Sequence, residues 1–162
     1  MMSLRDLIEG YANPGQVMWL GIRPERRVPM RVVSSVRISE SGIEGDHRQK
    51  PGKRAVSLIQ WEHVPVIAAL VGRAELAPDL LRRNIAIAGI NVLGLRNQTF
   101  RMGSVILRGT GVCAPCSRME EALGKGGYAA VRGHGGITAD IITPGDVGIG
   151  DRVIPCPDGD LR

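Results

Sequence analysis

Two cysteines separated by two residues are the feature of this sequence that most directly indicates chemistry. Cys113 and Cys116 follow an apolar run at 105–107, which is typical of a strand. Ser117 to Leu123 then has helical character, and Gly124 is a helix stop signal. Cys116 is therefore expected at the start of a helix, where unpaired backbone N–H groups and the helix dipole favour a thiolate.

A thiolate at this position can be a nucleophile, a redox centre or a soft metal ligand. A redox pair of the thioredoxin type is one alternative, but no βαβ pattern precedes these cysteines. A structural zinc site is a second, and it needs two further ligands, for which His47, His134 and Cys156 are the candidates. The third alternative is that the cysteines are small buried hydrophobes, as we expect for Cys113 and Cys156.

A basic, glycine-rich loop at 42–54 holds the densest set of potential ligand contacts in the chain. Such a loop can wrap an anionic ligand, and its arginines can contact phosphate in a bidentate manner. His47 and Arg48 lie in its middle, whereas Arg54 directly precedes an apolar strand. The alternative is a solvated charged loop, which explains the two lysines equally well.

Two further segments offer groups for a ligand. Arg82, Arg83 and Asn84 precede a predicted strand, where they could reach a ligand at a barrel mouth or cap a turn. The run GHGG at 133–136 includes His134 and Gly135. Its backbone N–H groups could approach an oxyanion or a phosphate, although a barrel turn would use the same residues.

Size and composition set the class of protein. The chain has 162 residues, of which 43% are hydrophobic and 23% charged, as in a single globular domain. No apolar run approaches the ~18 residues that span a bilayer. The first ten residues include acidic side chains and make a poor secretion signal, so we expect a cytoplasmic protein. Three cysteines, an odd number, argue against a disulfide framework.

The charge points to an anionic partner. The formal net charge is +5, but the chain has only two Trp, two Tyr and one Phe. Because proteins that bind single-stranded nucleic acid use aromatic stacking platforms, nucleic acid is disfavoured as a partner. A phosphorylated small molecule accounts for the charge equally well.

The predicted elements are mostly strands. Many short strands divided by glycine turns, with a few short helices, favour a β-barrel or a strongly curved sheet. Strands are predicted at 16–22, 30–38, 55–59, 85–90, 99–103, 104–107, 137–142, 147–149 and 152–154. Helices are predicted at 4–11, 60–70 and 117–123, with a single helical turn at 78–84.

Taken together, these segments resemble the MOSC domain, which is named after the C-terminal part of molybdenum-cofactor sulfurase. The resemblance depends on motifs that keep the family's order over roughly residues 16–154. They are GIEGD at 42–46, VSLIQ at 56–60, LLRRNI at 80–85, GI at 89–90, FRMG at 100–103, CAPC at 113–116, GHGGI at 133–137 and GIGD at 148–151. The division expected from it is an N-terminal helical extension at 1–15, a stand-alone MOSC domain at 16–155 and a tail at 156–162.

The resemblance implies a barrel-like fold and a molybdenum–pterin cofactor. By the match to the family motif, Cys116 is the thiolate ligand of the metal and the catalytic residue. Arg54, Arg82 and the basic loop would bind the phosphate of the pterin, and Asn84 would donate to the pterin or hold the loop. The complete set of predicted cofactor-binding residues is His47, Arg48, Arg54, Arg82, Asn84, His134 and Gly135.

Two functions follow from the family. Some members with this cofactor reduce N-hydroxylated compounds, which would make this chain an oxidoreductase that takes electrons from a partner protein. Others were proposed to carry sulfur as a cysteine persulfide, so a non-catalytic carrier that delivers sulfur or cofactor to an acceptor protein is the alternative. The family is also associated, at the family level only, with pyridoxal phosphate binding. A zinc-stabilised or purely structural barrel is the third hypothesis.

Overall fold

Short strands with closely spaced glycines close into a barrel in the computed structural model, which describes residues 1–156. The strands are β1 (Gly15–Ile22), β2 (Arg31–Val33), β3 (Ser35–Ser39), β4 (Gly42–Ile43), β5 (Val56–Gln60), β6 (Ile85–Ala88), β7 (Thr99–Met102), β8 (Val105–Val112), β9 (Ile137–Thr143), β10 (Gly145–Gly148) and β11 (Arg152–Pro155). The helices are α1 (Leu4–Glu9), α2 (His63–Leu70), α3 (Ser117–Leu123) and α4 (Gly127–Val131), with 3-10 turns at Pro78–Leu81 and Val92–Leu95.

Seven strands form the barrel, in the order β11-β7-β8-β9-β5-β6-β1. Pairing of β11 with β1, in which Gly15 lies opposite Val153, closes it. Neighbouring strands are antiparallel except β5 and β6, which are parallel and are joined through α2. Strand β2 continues the sheet beyond β1, and β10, β3 and β4 form a separate small sheet. The prediction of a mostly β, barrel-like fold is confirmed.

The barrel wall is apolar on both faces where helices cover it. Leu58 of β5 belongs to the core inside the barrel, whereas its neighbour Ile59 packs outside with Ile67 of α2 and Met119 of α3. All five residues of β5 are consequently buried. The two polar residues of β5, Ser57 and Gln60, are buried with hydrogen-bond partners: Ser57 Oγ donates to Asn84 Oδ1, and Gln60 Nε2 donates to the Ile90 carbonyl.

A bulge in β1 turns alternate side chains to the correct side of the wall. The register between β1 and β6 shifts between Val17 and Trp19. Because of this shift, Val17 and Leu20 face the inner core while Trp19 packs under the helices.

Several predicted boundaries are wrong. The predicted strand at 30–38 is two strands in different sheets, because the chain breaks at Ser34, whose carbonyl accepts a hydrogen bond from Ile149 N–H. Strand β8 continues to Val112, five residues beyond the predicted end. The glycine-rich stretch after α3 contains the start of α4, whose first N–H groups donate to the Glu120 carboxylate.

The described residues before β1 and after β11 lie outside the barrel strands. Helix α1 begins with a capping box between Ser3 and Asp6 and buries none of its residues. Cys156 is buried and its N–H donates to the Thr99 carbonyl. The other residues of the predicted tail, 157–162, lie outside the described residues. Within residues 1–156, no helix has the length and apolar character needed to cross a membrane.

Two glycines with nearly equal φ angles test how closely the segment before β9 approaches the backbone of β5. Gly133 has a φ of 82° and Gly136 a φ of 83°. A Cβ at Gly136 would overlap the carbonyl oxygen of Leu58, but a Cβ at Gly133 would meet nothing within 4 Å. We expect Gly133→Ala to lower the free energy of unfolding by about 1 kcal/mol and Gly136→Ala by about 3 kcal/mol or more. Urea denaturation measures both, and equal losses would contradict the close approach.

Candidate functional site

Five segments meet at one end of the barrel, and they contain most of the predicted site residues. They are the residue after β1, the loop between β4 and β5, the segment before β6, the loop between β8 and α3, and the segment before β9. Hydrogen bonds and charge interactions between these segments, described below, define the candidate site.

Asp46 is the centre of the hydrogen-bond network at this end. Its carboxylate is 5% exposed and accepts five hydrogen bonds. Three come from the backbone and guanidinium of Arg23, at 2.7, 3.1 and 3.0 Å. The others come from the Arg48 backbone N–H at 3.1 Å and from Asn84 Nδ2 at 3.2 Å. One carboxylate therefore connects three of the five segments.

The surroundings of Asp46 favour its charged form. Burial opposes ionisation, but the hydrogen bonds from Arg23 and its positive charge outweigh burial and hold the pKa of Asp46 below its ordinary value of 3.8. The carboxylate is therefore ionised and compensates the Arg23 guanidinium, whose side chain is 18% exposed.

Asn84 connects the site to β1 through side-chain hydrogen bonds. It is 1% exposed, and both of its side-chain donor contacts are internal, to the Gly21 carbonyl and to Asp46. Its Oδ1 accepts hydrogen bonds from Ser57 Oγ at 3.0 Å and from Arg23 at 3.4 Å. Of the two roles predicted for Asn84, these contacts support holding the loop rather than donating to a pterin.

Arg83 fixes the cysteine loop, which is the segment at 113–116 between β8 and α3. In the sequence Arg83 was grouped with Arg82 and Asn84 as a residue that could reach a ligand or cap a turn, but it was not among the predicted cofactor-binding residues. Its buried guanidinium donates to the carbonyls of Cys113 and Ala114, at 3.2 and 3.3 Å. It also donates to the Gly135 carbonyl at 2.8 Å. A Cβ at Gly135 would lie 2.5 Å from the Cys113 carbonyl oxygen, so glycine allows this close approach. The only signal in the sequence was an arginine beside an apolar strand, which does not reveal burial.

Cys116 lies at the start of α3, as predicted. It is the N-cap residue, its carbonyl accepts the first hydrogen bond of the helix from Met119 N–H, and its side chain is exposed. Cys113 and Cys156 are each 8% exposed, as the sequence indicated. Cys113 and Cys116 are not in a disulfide. Cys116 is thus the cysteine that solvent and ligands can reach.

Arg82 is the cation that interacts with Cys116. It adopts a left-handed conformation with a φ of 58°, uncommon for a residue with a side chain, and it follows directly after a 3-10 turn. Burial and the neighbouring cations Arg23 and Arg118 lower the pKa of Arg82, while Asp46 and a charge on Cys116 oppose that shift. Negative charge bound at this position is therefore stabilised by several guanidinium groups.

Two buried guanidinium nitrogens in the site have no hydrogen-bond partner. They are Nε of Arg48 and Nη2 of Arg82, whose other terminal nitrogen donates to the Val28 carbonyl. A buried donor without a partner costs about 1–3 kcal/mol, so such groups require an explanation. An anionic ligand that displaces the atoms covering these nitrogens would give both a partner. The residues thus fit a phosphate-bearing cofactor that takes a thiolate from the protein.

The two histidines of the prediction lie in different surroundings. His47 is exposed beside the cations, where partial burial and the charges of Arg23, Arg82 and Arg26 lower its pKa despite Asp46. His134 is half-buried, and its Nδ1 lies 3.3 Å from Nδ1 of His63 with the rings edge to face. His47 thus belongs to the charged site, whereas the side chain of His134 is engaged by His63.

Arg54 is separated from this group. It is exposed and lines a cleft together with Lys53 and the end of β8. Ala114 of the cysteine loop lines the same cleft. Arg54 is not among the charges that shift the pKa of Asp46 or of Arg82. Arg54 and Arg82 were both predicted to bind the phosphate of the pterin, but Arg54 lines this cleft and Arg82 does not.

A zinc site is not assembled in this part of the protein. Among residues 1–156, no group of three or more His, Cys, Asp or Glu side chains is placed to hold a metal ion.

The pKa of Asp46 leads to a pH-dependent prediction. Because this pKa is lower in the folded chain than in the unfolded chain, the stabilisation is complete above the ordinary carboxyl value and is lost as the pH falls through the folded value. We expect Asp46→Asn to lower the free energy of unfolding by about 2–4 kcal/mol at neutral pH, since Arg23 loses its partner. Below about pH 4, the variant should lose less further stability than the parent protein.

The matched control is Asp146→Asn. Asp146 pairs with Arg37 at 3.3 Å, but their side chains are 71% and 49% exposed. Exposed pairs contribute about 0–1 kcal/mol, so this variant should be close to the parent at every pH. Urea denaturation over a pH series measures all three proteins. Equal behaviour of the two variants would show that the Asp46 network does not stabilise the fold.

Comparison with solved structures shows the fold. The YuaD protein from Bacillus subtilis superimposes with a TM-score of 0.76 at 19% identity, over 89% of this chain and 97% of that one. YiiM from Geobacillus stearothermophilus gives 0.74 at 14% identity, over 91% and 78%. YiiM from Escherichia coli gives 0.68 at 18% identity, over 87% and 69%. No curated protein sequence matches the chain significantly.

The sequence itself matches a family model. The model of the MOSC domain aligns with residues 41–154, more than half of the 162 residues. The matched part includes the basic loop, Arg82, the cysteine pair and the segment with His134. Together with the seven-stranded barrel, this match shows that the chain belongs to the MOSC domain family.

Proposed function

We propose that this protein binds a molybdenum–pterin cofactor through the thiolate of Cys116 and reduces N-hydroxylated compounds with electrons from a partner protein. Some members of its family bind the molybdenum cofactor. The observation that carries the proposal is the pair of buried, unpartnered nitrogens, Arg48 Nε and Arg82 Nη2, in a site whose exposed nucleophile is Cys116.

Charge and ligand type both favour this cofactor. Thiolate is a soft ligand suited to such a metal, and guanidinium groups bind phosphate through charge-assisted hydrogen bonds. Arg48 and Arg82 would donate to the phosphate, and neutral His47 would offer a further nitrogen. A metal held by one cysteine and its own organic ligand needs no cluster of protein ligands, which agrees with the absence of such a cluster among residues 1–156.

The chain's own residues would hold and orient the cofactor. Arg83 fixes the carbonyls of Cys113 and Ala114, which restrains the backbone that leads to Cys116. Asp46 holds the backbone of Arg48, which places that guanidinium beside the site. When bound, the cofactor supplies two-electron redox chemistry. Reduction of an N–OH group consumes two electrons and two protons and releases water, and a partner protein supplies the electrons.

A carrier of sulfur is the second candidate function. The exposure of Cys116 beside Arg82 favours it, because an accessible thiol next to a cation can hold and release a persulfide sulfur. In either function we place the protein in the cytoplasm, where thiols stay reduced.

Substitution of Cys116 tests whether this residue binds molybdenum, carries a persulfide or has only a structural role. We expect the parent protein to contain molybdenum when it is purified from a host that makes the cofactor. Cys116→Ser should lose the metal, whereas Cys113→Ser should keep it because Cys113 is buried. Elemental analysis measures the metal. In the same samples, alkylation and mass spectrometry detect a persulfide. A persulfide on Cys116 without molybdenum would favour the carrier, and full molybdenum in Cys116→Ser would exclude this ligand.

Substitution of Arg48 tests the unpartnered nitrogens. Loss of a hydrogen bond to a charged group costs about 1.5–3 kcal/mol, or roughly tenfold or more in affinity, so Arg48→Gln should retain far less molybdenum. Its melting temperature without cofactor should equal or exceed that of the parent, because the substitution removes a buried donor that has no partner. Arg37→Gln, on the exposed face of β3, is the control. A variant with full occupancy, or one that fails to fold, would contradict this role.

A further inference from the structure

A second cleft borders the cysteine loop and has no role in the site described above. Its volume is about 580 Å³, within the usual range for small-molecule sites. Lys53, Arg54, Arg108, Thr110, Ala114 and Asp140 are among the residues that line it. It lies at the end of β8, where the register against β9 shifts between Gly109 and Val112. Such bulges are common next to active sites.

The cleft has an excess of positive charge. Arg108 lies directly opposite Asp140 across the β8–β9 pair, so these two charges offset each other. Lys53 and Arg54 are exposed, and within residues 1–156 neither forms an ion pair with a carboxylate. Two cations thus face the cleft and favour an anionic occupant.

The wall that carries these cations is held in place. Thr110 Oγ1 donates to the Lys53 carbonyl and lies 2.7 Å from Thr138 Oγ1, and Thr138 is 6% exposed. Thr138 Oγ1 also accepts a hydrogen bond from Gly111 N–H at 3.3 Å. The backbone of Lys53 is consequently tied to the bulge in β8.

The cleft reaches the vicinity of Cys116. Ala114 lines the cleft and lies two residues before Cys116, which limits the distance between their Cα atoms to about 7 Å. A molecule whose charged end contacts Lys53 and Arg54 can therefore extend its other end toward the cysteine.

We infer that this cleft binds the substrate, and that the substrate is a small acidic molecule with a carboxylate held by Lys53 and Arg54. The inference depends on the proposed function for the identity of the reacting group. It assigns Arg54 to the substrate rather than to the cofactor, because the unpartnered nitrogens belong to Arg48 and Arg82, outside this cleft. The reacting N–OH group would lie at the opposite end of the molecule from the carboxylate.

Binding of a carboxylic acid and of its uncharged methyl ester tests this inference. The probes are para-carboxybenzamidoxime and its uncharged methyl ester, titrated calorimetrically into protein from a host that makes the cofactor. We expect the parent protein to bind the acid more tightly than the ester. The double variant Lys53→Gln/Arg54→Gln should bind the acid about tenfold or more weakly and the ester unchanged, with its molybdenum content intact.

The control removes the same charges elsewhere. Lys125 and Arg152 are exposed and do not line the cleft, so Lys125→Gln/Arg152→Gln should bind the acid like the parent. Equal affinity of the parent for acid and ester, equal weakening by the two double variants, or loss of molybdenum from Lys53→Gln/Arg54→Gln would each overturn the inference. Absence of molybdenum from every protein would refute the proposed function alone, because the difference between the probes still reports on the cleft.

Discussion

A single buried carboxylate organises the functional end of this barrel. Asp46 is reached by the chain from β1, by its own loop and by the segment before β6, and it fixes all three through hydrogen bonds. Breaking a buried ion pair leaves a charge without compensation, which is costly. The carboxylate therefore makes the arrangement of the surrounding arginines dependent on one residue.

The arginines at this end fall into two groups by what their nitrogens contact. Arg23 and Arg83 donate to acceptors within the protein, and these two hold the loops in place. Arg48 and Arg82 each have a buried nitrogen without an acceptor. The first group gives the site its shape, and the second has unused donor capacity that a ligand can take up. Cys116, exposed at the start of α3, lies close enough to Arg82 for their charges to interact.

Local patterns were sufficient to predict much of the fold, and with it the position of Cys116. The apolar runs of β5 and β6 and the helix at 117–123 depend on neighbouring residues, so the sequence reveals them. Features that depend on distant contacts were missed. The chain changes sheets at Ser34 because of a contact with Ile149, and Arg83 is buried because carbonyls from two remote loops meet it. The placement of Arg54 away from Arg82 has the same origin, since loop length alone does not determine which cleft a side chain enters.

The most direct test of the central claim, that Cys116 and the unpartnered guanidinium nitrogens form one cofactor site, is a crystal structure of the protein purified from a host that makes the cofactor. Anomalous diffraction above the molybdenum absorption edge locates the metal. The account predicts a single anomalous peak bonded to Cys116 Sγ, with anionic oxygens within hydrogen-bond distance of Arg48 Nε and Arg82 Nη2. A peak bonded elsewhere, or a cofactor whose phosphate leaves both nitrogens without a partner, would contradict it.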